Sequence, residues 1–206
     1  MNILTRTFSD YNRKANNYTF LSVIGNLILR GDCMELTDKR ILTVVSNDFD
    51  DLELWYPILR LREAGVRVDI AGEVAGLTYQ GKYGLSVVSD TSFDTVDITQ
   101  YDGIVIPGGW APDYLRRLEP VLEFVRYMDA HQKVIGQICH AGWVLSSAGI
   151  LAGKTVTSTP GIKHDLMYAG AHWVDEPAVR DGHVVSGRRP PDLPIYLPLL
   201  IEALKD

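Results

Sequence analysis

The chain has 206 residues, of which 46% are hydrophobic and 22% charged, and its formal net charge is −6. This suits one folded domain of roughly 100–200 residues with an appendage, and it excludes wholesale disorder. The acidic balance gives no general electrostatic reason to bind nucleic acid or an anionic membrane, and two cysteines (Cys33 and Cys139) exclude a disulfide framework and all but exclude a Cys-based zinc site.

No uninterrupted apolar stretch approaches the ~18 residues of a spanning helix, so a cytoplasmic protein is expected. The apolar run Phe20–Leu29 is short, is broken by Asn26 and leads to no small-x-small cleavage site. Residues 1–39 show no clean period and hold five asparagines. The plain reading is an accessory or poorly ordered extension, or upstream sequence ahead of a start at Met34. The sharper reading is that Phe20–Leu29 docks on the domain or on a partner.

Regular patterning begins at Arg40. Ile41-Leu42-Thr43-Val44-Val45 reads as a strand buried on both faces. Asn47 to Asp50 turn the chain. Residues 51–64 read as a helix with Leu52, Trp55, Ile58 and Leu59 on its apolar stripe and Gly65 as its stop; Pro57 should kink it or mark an early turn. Residues 66–71 form the next strand and complete a βαβ unit. Residues 81–97 suggest a hairpin or excursion. Residues 103–106 form a buried strand ending in Pro107-Gly108-Gly109, and residues 121–130 an amphipathic helix. Residues 133–138 form a strand running straight into Cys139-His140-Ala141-Gly142, followed by a helix over 143–148. A strand at 155–157, a helix at 162–169, a strand pair around Asp181-Gly182 and a helix over 193–205 complete an α/β sandwich with a mostly parallel sheet.

Ligands of open α/β sheets bind at the carboxyl ends of strands. Three loops there carry suitable chemistry: Asn47–Glu53, Pro107–Asp113 and Cys139–Gly142. Cys139 lies between a buried strand and a helix, as a nucleophile on a sharp turn does. The helix N-terminus should pull its thiol pKa below the usual ~8.5. His140 suits a proton shuttle, oriented by a carboxylate for which Asp113 is the candidate. The N–H groups of Gly109 and His140 could form an oxyanion hole, with Gly108 allowing close backbone approach. Glu53, if turned inward, is a buried carboxyl sharing a proton with the sulfur. Asp50 and Asp51 read as exposed first-turn acids. His131, His164, His172 and His183 lack metal-ligand spacing, and no metal site is expected.

Five collinear motifs make the pattern specific: residues 49–57, 81–84, 107–116, 138–140 and 186–193. On them the chain from about Arg40 to Lys205 resembles the ThiJ/PfpI superfamily, and most its PfpI branch of intracellular protease-like proteins and deglycases. The resemblance implies a flavodoxin-like three-layer sandwich, the PfpI-like domain spanning residues 40–206, with Cys139 as nucleophile at a strand-Cys-helix elbow. It implies that Glu53 bonds the sulfur. It also implies a homo-oligomer, dimer or hexamer, in which Asp113 reaches His140 of a neighbouring subunit. Three departures reshape the pocket. Ala141-Gly142 replaces the usual Gly-Pro, Thr159 stands where some members carry a tyrosine, and Trp110 replaces smaller or polar residues.

The function expected is a cofactor-free cysteine enzyme acting on reactive carbonyls or their glycated adducts, a deglycase or glyoxalase-like hydrolase with peptidase activity as a lesser option. The competing reading is an oxidation-sensing or chaperone-like stress protein that uses the same thiol without turnover. A glutamine-amidotransferase-like triad is disfavoured, because Val185 stands two residues after His183 where an acid is needed.

Overall fold

A computed structural model describes residues 36–206. The readings of Met34 and of Phe20–Leu29 lie outside the described residues. The chain forms β1 (Arg40–Val44), α1 (Asp51–Glu63) and β2 (Arg67–Gly72). A hairpin of β3 (Thr78–Gln80) and β4 (Ser86–Val88) stands apart, and β5 (Thr91–Ser92) returns to the main sheet. Next come β6 (Gly103–Ile106), the short α2 (Ala111–Leu115), α3 (Glu119–Ala130), β7 (Val134–Ile138) and α4 (Gly142–Ala148). The last part holds β8 (Thr155–Val156), α5 (Lys163–Tyr168), β9 (His172–Trp173), β10 (Ala178–Asp181), β11 (Val184–Gly187) and α6 (Leu193–Ala203).

The main sheet has the order β10-β11-β7-β6-β1-β2-β5, parallel throughout except for the β10–β11 pair. Every residue of β6 and β7 is buried, which explains why their sequences are mostly apolar rather than alternating; the one polar side chain, Gln137, donates to the Thr157 carbonyl at 2.7 Å. From β1 the chain steps outward to β2, whereas from β6 it steps the other way to β7. Right-handed crossovers therefore send α1 and α3 to opposite faces. α1 packs on α6, and α3 packs on α4. The result is the flavodoxin-like three-layer sandwich. Leu54, Ile58 and Leu61 on α1 are fully buried, each contributing about 1.5–3 kcal/mol by leaving water.

Four local readings need correction. The stripe of α1 that faces the sheet is Leu54, Pro57, Ile58 and Leu61; Leu52 and Leu59 are more than half exposed. Two apolar stripes overlap on this helix, and periodicity does not say which one meets the sheet. Pro57 does not mark an early turn: it lies inside α1, which runs on to Glu63 while the Glu53 carbonyl goes without the N–H that residue 57 would give. The five-residue α2 fell below the reach of a periodic pattern. Finally, β8 pairs with β9 in a separate two-stranded parallel sheet, not in the main one.

Candidate active site

The strand order reverses between β1 and β6, so the crevice beyond their carboxyl ends is the place where this fold leaves room for a ligand. β7 lies beside β6 and delivers Cys139 to the same rim. Phe49 ties the loops together through backbone bridges to Gly109 on one side and Gly81 on the other. Gly109 has φ +79°, and a Cβ there would strike the backbone of Asp48 and Asp50. At Gly108 a Cβ would overlap the Glu53 carboxylate and stand 2.7 Å from Cβ of Cys139. The Gly-Gly pair is therefore what lets carboxyl and cysteine approach one another.

Glu53 is fully buried. Asp50 caps α1, accepting the N–H groups of Leu52 and Glu53, and this fixes the helix phase that turns Glu53 inward. Oε2 of Glu53 accepts the Gly108 N–H at 3.0 Å, while Oε1 has no well-aligned partner. Burial, and then the charge of Asp50, push the Glu53 pKa up to about 8. The Cys139 thiol, within bonding reach of the carboxyl, and the Gly108 N–H offset part of that rise. Asp50 and Asp51 are themselves buried, contrary to the expectation of solvent-facing acids. Asp51 accepts the N–H groups of Tyr83 (2.8 Å) and Leu85 (2.6 Å), which pins the turn of the β3–β4 hairpin over the site. Acids spaced for a helix start gave no hint of that distant partner.

Cys139 adopts φ +60°, rare for a residue with a side chain, directly after the extended Ile138. A short 3-10 turn, Cys139–Ala141, then leads into α4. The sulfur is buried, it receives the backbone N–H groups of His140 and Gly109, and it lies 3.3 Å from Nδ1 of His140. The expected drop of the thiol pKa is not found. Burial, followed by the Glu53 charge, raises it, and the two N–H groups do not overcome this. The seven-residue α4 offers only its terminal N–H groups against a buried carboxylate next door. The two acids are thus one coupled unit: when Glu53 holds the proton, its charge no longer opposes the thiolate, and its O–H can donate to sulfur.

His140 is half-buried, and burial followed by the charge of Lys82 holds its pKa below the ordinary histidine value. Its ring lies between two indoles, with centroids 5.3 Å from Trp110 and 5.0 Å from Trp143. Asp113, on α2, forms an ion pair with Arg117. Among the described residues no carboxylate is hydrogen-bonded or ion-paired to the imidazole, so Asp113 does not meet His140 within one subunit. Trp110 is half exposed, and its N–H donates to the Asp48 carbonyl at 2.8 Å. Thr159 lies beneath the turn, with its N–H donating to the Cys139 carbonyl at 3.4 Å.

Two neighbours of the site were not singled out from sequence. Lys82, whose N–H donates to the Phe49 carbonyl at 2.8 Å, places its cation within electrostatic reach of Asp50, Glu53, Cys139 and His140. Its clue was the Gly-Lys-Tyr-Gly turn. Trp143 carried none, since an aromatic on a short helix reads as core. Among the described residues no group of three or more His, Cys, Asp or Glu side chains is placed to hold a metal. No helix there is long and apolar enough to cross a membrane.

An α/β sandwich with a buried carboxyl against a cysteine at its switch point defines a class of proteins, and comparison identifies which. Residues 39–203 match the model of the DJ-1/PfpI family, and the chain belongs to that family. It is 42% identical over 166 residues to a protein of Pyrococcus horikoshii named Deglycase PH1704, covering 81% of this chain and 99% of that one. It is 34% identical over 158 residues to the putative cysteine protease YraA of Bacillus subtilis, covering 77% and 94%. The crystal structure of Drosophila melanogaster DJ-1beta superposes with a TM-score of 0.76 at 26% identity, covering 82% of this chain and 92% of that one.

Proposed function

We propose that this protein is a cofactor-free cysteine enzyme that acts on reactive carbonyl compounds or their adducts with amines and thiols. The observation that carries this reading is the coupled pair of buried Glu53 and Cys139, with the Gly109 and His140 N–H groups on the sulfur. The thiolate adds to an aldehyde carbon, and the oxygen takes the Glu53 proton, giving a hemithioacetal. The C–H proton of that carbon is then removed by the resulting carboxylate or by His140 and delivered to the neighbouring carbonyl carbon, while the hemithioacetal hydroxyl gives up its proton to the oxygen of that carbonyl. A thioester of a 2-hydroxy acid results. Water hydrolyses it to the acid and the free thiol, so the net change is addition of one water. With a glycated amine, which is a hemiaminal, the sulfur replaces the nitrogen on that carbon: the C–N bond breaks, the amine leaves with the Glu53 proton, and the same hemithioacetal results. Peptide hydrolysis through a thioester uses the same groups and ranks lower, because small-carbonyl chemistry needs only the crevice over Cys139.

The names of the relatives support this reading, which includes a reducing, cytoplasmic setting in which a free thiol persists. The reading includes a homo-oligomer in which Asp113 from a second subunit orients His140. Its support is that Asp113 is 40% exposed while no carboxylate among the described residues is bonded to the imidazole. Turnover of methylglyoxal and of glycated amino acids by the wild type and Cys139→Ser tests the chemistry. The wild type should exceed the variant by at least a hundredfold; equal rates sink the enzyme. Asp113→Asn should lose activity, and the wild type should lose it on dilution below the assembly range.

One observation favours a second reading. A carboxyl that holds its proton near neutral pH can donate to a sulfinate oxygen, so Cys139 could serve as an oxidation sensor. A stable gain of two oxygens on Cys139 under mild peroxide, with no carbonyl turnover, would select it.

A further inference from the structure

The rim over Cys139 is asymmetric. On one side of Phe49 the hairpin turn presents the Lys82 cation, and on the other the Gly108-Gly109 loop presents Trp110. Trp110 is a large aromatic with half its surface open, beside a buried nucleophile. It is not loose. Its N–H is bonded to the Asp48 carbonyl, its own carbonyl accepts the Asp113 N–H at 3.0 Å, and the preceding Gly109 is bridged to Phe49. Its ring rests against the imidazole of His140, tilted by 36°. Behind His140 stands Trp143, whose indole N–H donates to Asp165 at 2.7 Å and whose face carries the Arg116 guanidinium at 5.5 Å. The layers Trp110, His140, Trp143 and Arg116 brace one another, so the open part of Trp110 is a pre-organised aromatic wall.

We propose that Trp110 is a specificity-determining residue, forming the wall of a subsite for carbonyl compounds whose substituent is flat and unsaturated. The proposal rests on the reading of Cys139 as the nucleophile. His140 Nδ1 lies 3.3 Å from the sulfur and the Trp110 ring lies against that same imidazole. Sulfur and indole thus flank the same imidazole, and a flat substituent on a carbonyl attacked by the sulfur has Trp110 as its aromatic neighbour on that side, where rings attract one another at centroid separations of about 4.5–7 Å. An alkyl substituent there gains contact but not ring pairing. Trp110 acts through binding, so its loss should appear in KM for aryl substrates more than in kcat.

The test separates the wall from the reaction. Alkylation of Cys139 by phenacyl bromide and by bromoacetone, each normalised to a free model thiol and read by intact mass, needs no turnover. The wild type should favour phenacyl bromide, Trp110→Ala should lose roughly two- to twelvefold of that preference, and Trp110→Phe should keep most of it. A normalised preference that is absent in the wild type, or unchanged in Trp110→Ala, overturns the proposal. Phenylglyoxal and methylglyoxal turnover is then measured in parallel. An alkylation preference that depends on Trp110, with neither compound turned over above the Cys139→Ser background, leaves the wall standing and removes the carbonyl-enzyme reading. A Trp110-dependent fall in the phenylglyoxal-to-methylglyoxal ratio of kcat/KM supports both.

Discussion

The two ends of the sheet bury acids in opposite ways. At the amino-terminal end, Asp69 sits beside Arg40, whose guanidinium lies 2.6 Å from its carboxylate, and accepts the Tyr101 hydroxyl at 3.1 Å. A polar cleft of about 310 Å³ opens there between Arg40, Arg67, Asp69 and Tyr101. Desolvation works to raise the Asp69 pKa, but Arg40 and Tyr101 hold it below the usual carboxylate value. At the carboxyl-terminal end, Glu53 is more deeply buried, is paired with no cation among the described residues, Lys82 acting on it only from a distance, and is pushed up to about 8. Burial alone does not mark a functional site. A buried acid left without a cation, opposite a second acid, stores a proton that chemistry can use. A buried acid that is paired only holds the fold together.

The sharpest way to break this contrast is Glu53→Gln. The folded protein holds a proton on Glu53 up to about pH 8, whereas an unfolded glutamate releases it near 4.5. The folded state therefore binds the extra proton between those values, and stability falls as pH rises through that window. Glutamine keeps an acceptor for the Gly108 N–H and removes the loss. The variant should be more stable than the wild type by on the order of 2–5 kcal/mol above pH 8 and show no difference below pH 4.5. Denaturant midpoints across pH measure it, and parallel wild-type and variant curves would place the Glu53 proton elsewhere. Next comes Gly108→Ala, whose methyl must displace the carboxyl or the cysteine. It should cost about 1–3 kcal/mol and slow Cys139 alkylation, while Gly161→Ala, in open space, should change stability by less than about 0.5 kcal/mol.

The same contrast explains what could be read before any coordinates. The sheet was legible because β1, β6 and β7 are dominated by apolar residues with no apolar-polar alternation, as strands covered on both faces are. Cys139 was legible because a strand ran into it and small residues followed it. The inward turn of Glu53 was legible only as a condition. Its helix carries two apolar stripes, and the choice between them is made by Asp50 as cap and by Gly108, which yields the space. The direction of the thiol's shift was hidden for the same reason: it depends on burial and then on a carboxyl 86 positions earlier in the chain, not on the helix that follows. Trp143 and Asp51 act through partners 22 and 32–34 residues distant, Asp165 for the one and Tyr83 and Leu85 for the other, and such distances leave no local period.

Smaller effects sharpen the comparison. Asp69→Asn removes the acid that Arg40 pairs with, and since the folded pKa is depressed, its stabilisation is present above the unfolded value and lost as pH falls. The variant should lose about 1 kcal/mol at pH 7 and little at pH 3, the reverse of Glu53→Gln in pH dependence. The mildest test concerns Lys82, an exposed cation that lowers the Glu53 and His140 pKa values and faces the thiolate from across the crevice. In Lys82→Gln both groups should hold protons to higher pH, and the thiolate should lose a favourable charge. Because the ammonium is solvated, the shift should stay under about one pH unit and fade with added salt. Alkylation by anionic iodoacetate should slow more than alkylation by neutral iodoacetamide, by roughly two- to fivefold at low ionic strength, with the ratio converging on that of the wild type at 1 M salt. An unchanged ratio at low salt would mean that Lys82 spends its charge on Tyr83, and that the carboxyl-terminal end of the sheet meets its substrate without a cation at all.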